Sequence, residues 1–491
     1  MVRVRYAPSP TGLQHIGGLR TALFNYLFAR ASGGSFILRL EDTDRTRCED
    51  RYVQNLYDTF NWLGIHWDEG PDCGGAYSPY TQSERILLYR QYANELLDSG
   101  KAYYCFCSQQ RLEELRKQRE EAHSPETGYD RACRNIDAAE AARRAKNESA
   151  VVRLKIPLDE STSFKDIIIG ESKWNNRDVN PDPVLLKSDG FPTYHLANIV
   201  DDHLMGITHV LRAQEWLSST PLHIILYKAF GWQPPEFCHL PMVMGQDGKK
   251  LSKRHGATSV DEFRNQGVLS AALLNYVSLL GASYEEGNEI WTLDELAARF
   301  SLEKLHKASA VFDYKKLEWF NAQYIKAAKN DVLAEKALPF AVNAGVFGAA
   351  GKTPSVAEMK LFENAMPLVK ERANYLNETG EKLRYLFCEP ALPPPEEFIP
   401  KKSTREEAAR LLRIGRGIIA ELAAKNEEEA EAFVKRVAEA EAVKLGDLLM
   451  PMRVALTGSR VSPPLFGSAS LLGGEKCAAR IERALEILQR N

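Results

Sequence analysis

An α/β nucleotide-binding sheet, interrupted by an insertion and followed by a predominantly helical half, is expected of this chain on three grounds. A β-prone run at residues 2–6 (VRVRY) breaks into a proline- and glycine-punctuated turn and then into a segment with helical apolar spacing. Further β-prone runs stand at residues 36–40, 207–211 and 239–244, with a change of pattern beginning near residue 101 and ending near 190. From about residue 259 helical periods dominate, and no strand signal of comparable strength recurs.

The first turn, residues 5–18 (RYAPSPTGLQHIGG), delivers His15 just ahead of Leu19, Leu23, Tyr26 and Leu27, whose spacing predicts a helix with one face for a sheet. A glycine-rich crossing from strand to helix suits an anion, because the first N–H groups of a helix lack intrahelical partners. The run contains neither G-x-G-x-x-G nor G-x-x-x-x-G-K-[ST], so a dinucleotide oxidoreductase and an ordinary P-loop ATPase gain no support. Residues 36–40 (FILRL) predict the second strand, and 41–45 (EDTDR) lie at its carboxyl end, where open α/β sheets hold ligands. Those charges read either as a solvated loop or as contacts to a polar or cationic ligand. Helical material fills residues 46–100, including 80–97, and is interrupted by a loop at 64–79.

Residues 101–190 are expected to form an insertion between two halves of one sheet. They open on Cys105 and Cys107, run through a charged helical segment and include β-prone stretches at 151–156 and 164–169. The sheet resumes after residues 191–198 (FPTYHLAN), with a strand at 207–211 and a helix from 214 toward 230. The strand at 239–244 opens into residues 245–256 (GQDGKKLSKRHG), where glycines favour mobility. Lys250, Lys253 and Arg254 give that loop a positive charge suited to polyphosphate, or else a solvated surface. Helical modules are expected at 257–320 and 321–388, a stiff proline-rich connector at 390–400, and helices from there to residue 490.

A length of 491 residues suits about three domains. The 44% hydrophobic fraction supports buried cores, and the 26% charged fraction supports a water-facing surface. A net charge of -3 argues neither for nor against a nucleic-acid partner, since a basic track can be balanced by acidic surface elsewhere. No apolar run is long enough to span a bilayer and the N-terminus lacks a signal-peptide core, so a cytoplasmic protein is expected. Eight cysteines in so long a chain do not form a secreted disulfide framework.

Taken in order, several separated segments resemble the bacterial-type glutamyl-tRNA synthetases, a branch of the class I aminoacyl-tRNA synthetases. They are residues 5–12 (RYAPSPTG) with 15–18 (HIGG), 41–45 (EDTDR), 194–198 (YHLAN), 250–254 (KLSKR) and 450–458 (MPMRVALTG). Gly18 stands where the generic class I signature has a second histidine, which places more of the inference on His15. The resemblance covers essentially the whole chain. It implies a split Rossmann-type catalytic domain at 1–100 and 191–256 and an α+β acceptor-stem-binding insertion at 101–190. A stem-contact module at 257–320 and helical anticodon-binding domains at 321–388 and 389–491 would follow.

The implied reaction joins L-glutamate to the 3′-terminal adenosine of glutamate tRNA through a glutamyl-adenylate, with charging of glutamine tRNA left open. Both nucleophiles belong to substrates, so the protein supplies positioning and charge stabilisation rather than a nucleophilic side chain. By resemblance, His15, Gly17, Gly18, Lys250, Lys253 and Arg254 serve ATP, and His15, Lys250 and Lys253 are catalytic. Magnesium accompanies ATP, although no compact carboxylate constellation marks a permanent site. Arg5, Ala7, Ser9, Glu41, Tyr194, Asn198 and Arg212 bind glutamate, with Arg5 and Arg212 facing carboxylate and Glu41 facing the ammonium.

Cys105, Cys107, Tyr129 and Cys133 read either as a structural zinc site like that of some relatives or as a buried cluster around Phe106. Arg372 reads either as an anticodon contact or as a solvated helical residue. The resemblance further implies a monomer without membrane contact and a glutamate activation that depends on bound tRNA. A glutaminyl-tRNA synthetase is disfavoured by the lack of β-barrel strands in the C-terminal region, and a shorter tRNA-modifying glutamyl-transfer enzyme by the length of residues 300–491. A noncatalytic tRNA-binding protein is disfavoured by the joint presence of His15, Lys253, Arg5 and Glu41.

Overall fold

The structure is a computed structural model that describes all residues except 45, 125, 127, 180, 286, 288, 490 and 491. Arg45 of the 41–45 motif and the expected helix end at residue 490 therefore lie outside the described residues. The chain forms two compact units, one of residues 1–263 and 273–313, the other of 264–272 and 314–491.

The first unit is built on parallel strands. β1 (Arg3–Tyr6) pairs with β2 (Ser35–Leu38) in the register Arg5 with Ile37, and helix α1 (Ile16–Ala31) connects them. The sheet predicts burial of one α1 face, yet the helix is enclosed on several sides. Leu19, Leu23 and Leu27 are fully buried as expected, Tyr26 is only half-buried, and Phe24 packs on Phe300 with ring centroids 5.5 Å apart. Gly17 and Gly18 in the first turn cost about 1 kcal/mol each relative to alanine. Burying four large apolar side chains at about 2 kcal/mol each outweighs that several-fold, so packing rather than propensity holds this helix in place.

The segment at 101–190 does not behave as one body. β3 (Ala102–Cys105), β4 (Val151–Leu154) and β7 (Val184–Leu186) make a three-stranded antiparallel sheet of their own. Its apolar side chains Val152, Leu154 and Leu185 share a core with Leu196, Val200 and Leu226. The hairpin of β5 (Ser161–Asp166) and β6 (Gly170–Asn175) instead extends the main sheet, where β5 runs parallel to β9 (Glu236–Leu240) at Asp166 and Phe237. β9 in turn runs parallel to β8 (His209–Ala213), giving the strand order β6-β5-β9-β8. Beside β8, the Thr208 N–H donates to the Arg3 carbonyl over 2.9 Å, which brings β1 to the same edge. The carboxyl ends of β1, β2 and β8 therefore open toward common ground. The strand expected at 239–244 is divided around Pro241, with Val243–Met244 forming β10, which pairs with Ala310–Val311.

The second unit is helical and has two cores. Helices such as Asn330–Asn343 and Leu376–Phe387 enclose Leu333, Ala337, Phe362 and Leu383, and residues 264–272 contribute Leu269 and Ala272 to the same core. Arg405–Ala423, Leu445–Thr457 and Gly474–Gln489 enclose Leu412, Met452 and Ile481 in the other. The proline-rich stretch expected as a connector is anchored, because the 3-10 turn Pro395–Phe398 inserts a fully buried Phe398 into this second core.

Candidate active site

A cavity of about 1200 Å³ opens at the carboxyl ends of β1 and β8 and is walled by the loop after β10. Its lining includes Arg5, Ala7, Ser9, His15, Gly17, Gly18, Glu41, Tyr194, Asn198, Arg212, Lys250 and Lys253. These residues come from five stretches of sequence, and the fold brings them to one place. Arg254 is the exception among the expected residues. It does not line the cavity and lies 3.3 Å from Asp247.

One end of the cavity is a buried network of charge. Arg5 donates through Nε to Asp202 at 3.1 Å, and Arg39 donates to the same carboxylate at 2.7 Å. Arg39 also donates to Glu41 Oε1 at 3.1 Å, and Asn198 Nδ2 donates to that oxygen at 3.3 Å. Beneath them Asp201 takes Arg85 at 2.7 Å, with Gln82 and Tyr89 donating to its other oxygen. Buried carboxylates persist when they are paired and hydrogen-bonded, and this arrangement meets the condition. Among the described residues, neither terminal nitrogen of Arg5 and not Oε2 of Glu41 has a hydrogen-bond partner, and both side chains line the cavity. A free guanidinium edge and a free carboxylate oxygen thus face the same space. Burial raises the Glu41 pKa, with Arg39 and Arg5 opposing, whereas Asp202 is held below its ordinary value by the two guanidinium groups despite its burial.

Arg212 is held differently. Its Nε donates to His239 Nε2 at 3.1 Å, Nη1 lies 3.1 Å from the Tyr194 hydroxyl and Nη2 donates to Thr220 Oγ1 at 2.9 Å. Among the described residues it has no carboxylate partner, and every group that orients it is neutral or a carbonyl.

His15 occupies the N-cap position of α1. Its Nδ1 accepts from the N–H groups of Gly17 at 3.1 Å and Gly18 at 3.4 Å. Those two amides, expected by resemblance on the ATP side, line the cavity and donate to the imidazole. Because Nδ1 accepts, the neutral ring carries its proton on Nε2, the nitrogen free to donate within the cavity. Desolvation by the cavity walls, followed by the Lys250 ammonium, lowers the His15 pKa, and Glu215 opposes the shift. Little space is left for a side chain at either glycine. A Cβ on Gly18 would lie 2.8 Å from the Tyr6 hydroxyl, and one on Gly17 would lie 3.0 Å from His15 Cε1. Across the cavity Lys250 is paired with Glu215 at 2.7 Å, and Lys253 begins the 3-10 turn Lys253–His255.

Residues that hold the site but that sequence reasoning passed over include Arg39, Asp202, Glu215, His239 and Asp166. One signal was readable. Asp201 and Asp202 are adjacent acids directly after the apolar pair Ile199 and Val200, and side chains of that kind are buried only when paired. Glu215 and Asp166 carry no such mark.

In the segment at 101–190, Cys105, Cys107 and Cys133 place their sulfur atoms within 4.8 Å of one another. The Tyr129 hydroxyl lies 3.3 Å from Cys105 Sγ and 3.7 Å from Cys107 Sγ. Arg153 sits over the Tyr129 ring at 3.9 Å, and Arg111 reaches Cys107 Sγ at 3.4 Å. Hydrogen bonds from Tyr129 and the nearby Arg153 hold the Cys105 thiol below its ordinary pKa against the effect of burial. Three convergent thiols fit a tetrahedral thiophilic ion. In the second unit Arg372 lines a cavity of about 840 Å³ with Lys382, Arg384 and Tyr385.

Residues 1–319 match the family of the tRNA synthetases class I (E and Q), catalytic domain, and residues 332–485 match an anticodon binding domain. The chain is 53% identical over 503 residues to the glutamate–tRNA ligase of Treponema denticola, covering 99% of each. It is 48% identical over 490 residues to that of Borreliella burgdorferi, covering 100% of this chain and 99% of the relative. The crystal structure of a glutamate tRNA ligase from Elizabethkingia meningosepticum in complex with its amino acid matches with a TM-score of 0.86 and 34% identity, over 99% of this chain and 100% of that one.

Proposed function

Because the chain belongs to the bacterial-type glutamyl branch of the class I tRNA synthetases, we infer that it ligates L-glutamate to the 3′-terminal adenosine of glutamate tRNA, using ATP. The observation that carries this reading is the pairing of vacant donors and a vacant acceptor in one cavity. The terminal nitrogens of Arg5 suit the planar side-chain carboxylate of glutamate, and Glu41 Oε2 suits its ammonium. Ser9, Tyr194 and Asn198, with the Ala7 backbone, frame the same space, and Arg212 adds a second cation. A neutral amide in place of the carboxylate would forgo attraction to both guanidinium groups, which favours glutamate over glutamine.

In the first step the glutamate α-carboxylate attacks the α-phosphorus of ATP, the bond to the bridging oxygen breaks and pyrophosphate leaves. His15 donates from Nε2 toward the oxygens on which charge develops. Lys253 approaches the departing polyphosphate, and Lys250 joins it on leaving Glu215. In the second step a ribose hydroxyl of the terminal adenosine attacks the acyl carbonyl and AMP leaves, with no covalent protein intermediate. Magnesium enters with ATP. Cys105, Cys107, Tyr129 and Cys133 would hold a zinc ion whose contribution is structural.

On this reading residues 101–190 bind the acceptor stem, 257–320 contact the stem, and 321–388 and 389–491 recognise the anticodon. No described helix is long and apolar enough to cross a membrane, and the protein is taken to act as a cytoplasmic monomer. The test is aminoacylation of purified glutamate and glutamine tRNAs with each free amino acid. Charging of glutamate tRNA by glutamate is expected, and charging by glutamine in its place would overturn the reading. The glutamine-tRNA arm decides whether acylation extends to that tRNA. ATP–pyrophosphate exchange with and without tRNA decides whether activation depends on it.

A further inference from the structure

We propose that Asp166 and His239 are positioning residues for Arg212, a carboxylate and an imidazole that together fix where the second substrate-facing guanidinium points. The inference rests on the glutamate reading of the cavity and extends it to a pair on β5 and β9 that does not line the cavity.

Asp166 is fully enclosed, and each of its oxygens receives two donors. Oδ1 accepts from the N–H groups of Ile168 and Ile169, both at 2.9 Å. Oδ2 accepts from the His239 N–H at 3.1 Å and lies 2.7 Å from His239 Nδ1. A carboxylate so surrounded only accepts, so the imidazole proton is on Nδ1 and the lone pair is on Nε2. That lone pair receives the Arg212 Nε–H at 3.1 Å, and the Thr220 hydroxyl lies 3.1 Å from the same nitrogen. The opposite tautomer would turn the Nδ1 lone pair on the Asp166 carboxylate at 2.7 Å and an N–H toward the Arg212 Nε–H, in a buried space where an unmade hydrogen bond costs most.

The arrangement also governs charge. Arg5 meets its carboxylate, Asp202, directly. Arg212 has its acid one imidazole away, so the guanidinium is oriented by His239, Tyr194 and Thr220 without an ion pair occupying it. A direct carboxylate partner would compete with the substrate carboxylate for the same cation. Asp166 belongs to the hairpin inside the 101–190 segment and enters the main sheet beside Phe237, so that segment supports the amino-acid pocket from behind as well as lining it through Lys187.

Two amide variants separate positioning from bulk. In His239→Gln the amide oxygen can stand where Nε2 accepts, whereas in His239→Asn the amide reaches only the Nδ1 position and leaves Arg212 Nε without an acceptor. In ATP–pyrophosphate exchange with tRNA present, His239→Asn should raise the glutamate KM by about tenfold or more, the loss of one hydrogen bond to a charged group, with the ATP KM within about twofold. His239→Gln should stay within about threefold of the parent, and both should melt alike. A purely structural role treats the two amides equally. Indistinguishable variants, or glutamate and ATP KM rising together in His239→Asn, would overturn the proposal while leaving the glutamate reading intact. A parent protein inert toward glutamate but active with another amino acid would overturn both.

Discussion

Glu41 illustrates a side chain whose burial works against its charged form. Its pKa is raised by burial, so between the ordinary carboxylate value and the raised one the folded chain binds more protons than the unfolded chain. Stability therefore falls as pH rises through that window. Glu41→Gln should melt at or above the parent at pH 7 while lowering glutamate-dependent activation by about 100-fold or more. Melting several degrees below the parent would show that Glu41 supports the fold instead. Arg5 and Glu41 were legible because each sits at a strand end within a dense motif. Asp166 was not, because residues 164–169 (FKDIII) read as an ordinary apolar strand whose acid could point anywhere.

At the scale of elements, the start of α1 carries two roles on one histidine. The imidazole caps the helix through Nδ1 and leaves Nε2 for the cavity. His15→Asn keeps a capping acceptor and should retain the parent stability, whereas His15→Ala should lose about 1 kcal/mol. Both should slow adenylate formation by about 100-fold; a normal rate in His15→Asn would reduce the residue to a cap. Burial and the Lys250 ammonium lower its pKa, so the ring loses its second proton at lower pH than a free imidazole does, and any rate change that follows this titration should appear on the acid side of the ordinary histidine range. The thiol cluster of Cys105, Cys107 and Cys133 is a second local element. About one zinc per chain is expected after removal of loosely bound ions, lost together with thermal stability in Cys133→Ser. Full activity with almost no zinc would defeat the assignment. Helix and strand positions were largely readable from spacing, but pairing was not. The hairpin of β5 and β6 joined the main sheet because register is set by partners far along the chain.

For the molecule as a whole, the α/β first half and helical second half follow the division of apolar periods in the sequence, since period separates strands from helices without knowledge of tertiary contacts. The boundaries were less accessible. The expected break at 320–321 falls inside the helix Tyr314–Ala327, and the connector at 390–400 holds the buried Phe398. In the helical unit, Arg372→Gln should raise the tRNA KM by about tenfold without changing the melting temperature, because the residue lines a cavity rather than a core. An unchanged tRNA KM would make Arg372 a surface residue only.

The path of the chain through residues 264–272 has a further effect. Gly267 accepts from the Leu376 N–H at 3.0 Å and from Asn321, and the Leu269 N–H donates to Asn321 Oδ1 at 2.8 Å, all within the second unit, before the chain resumes the first at 273. A recombination event that exchanges everything after residue 313 would leave the original 264–272 to dock on a foreign Asn321 and Leu376. A single crossover after residue 313 therefore parts the helical unit from one of its own segments, and only an exchange that begins before residue 264 carries that unit whole.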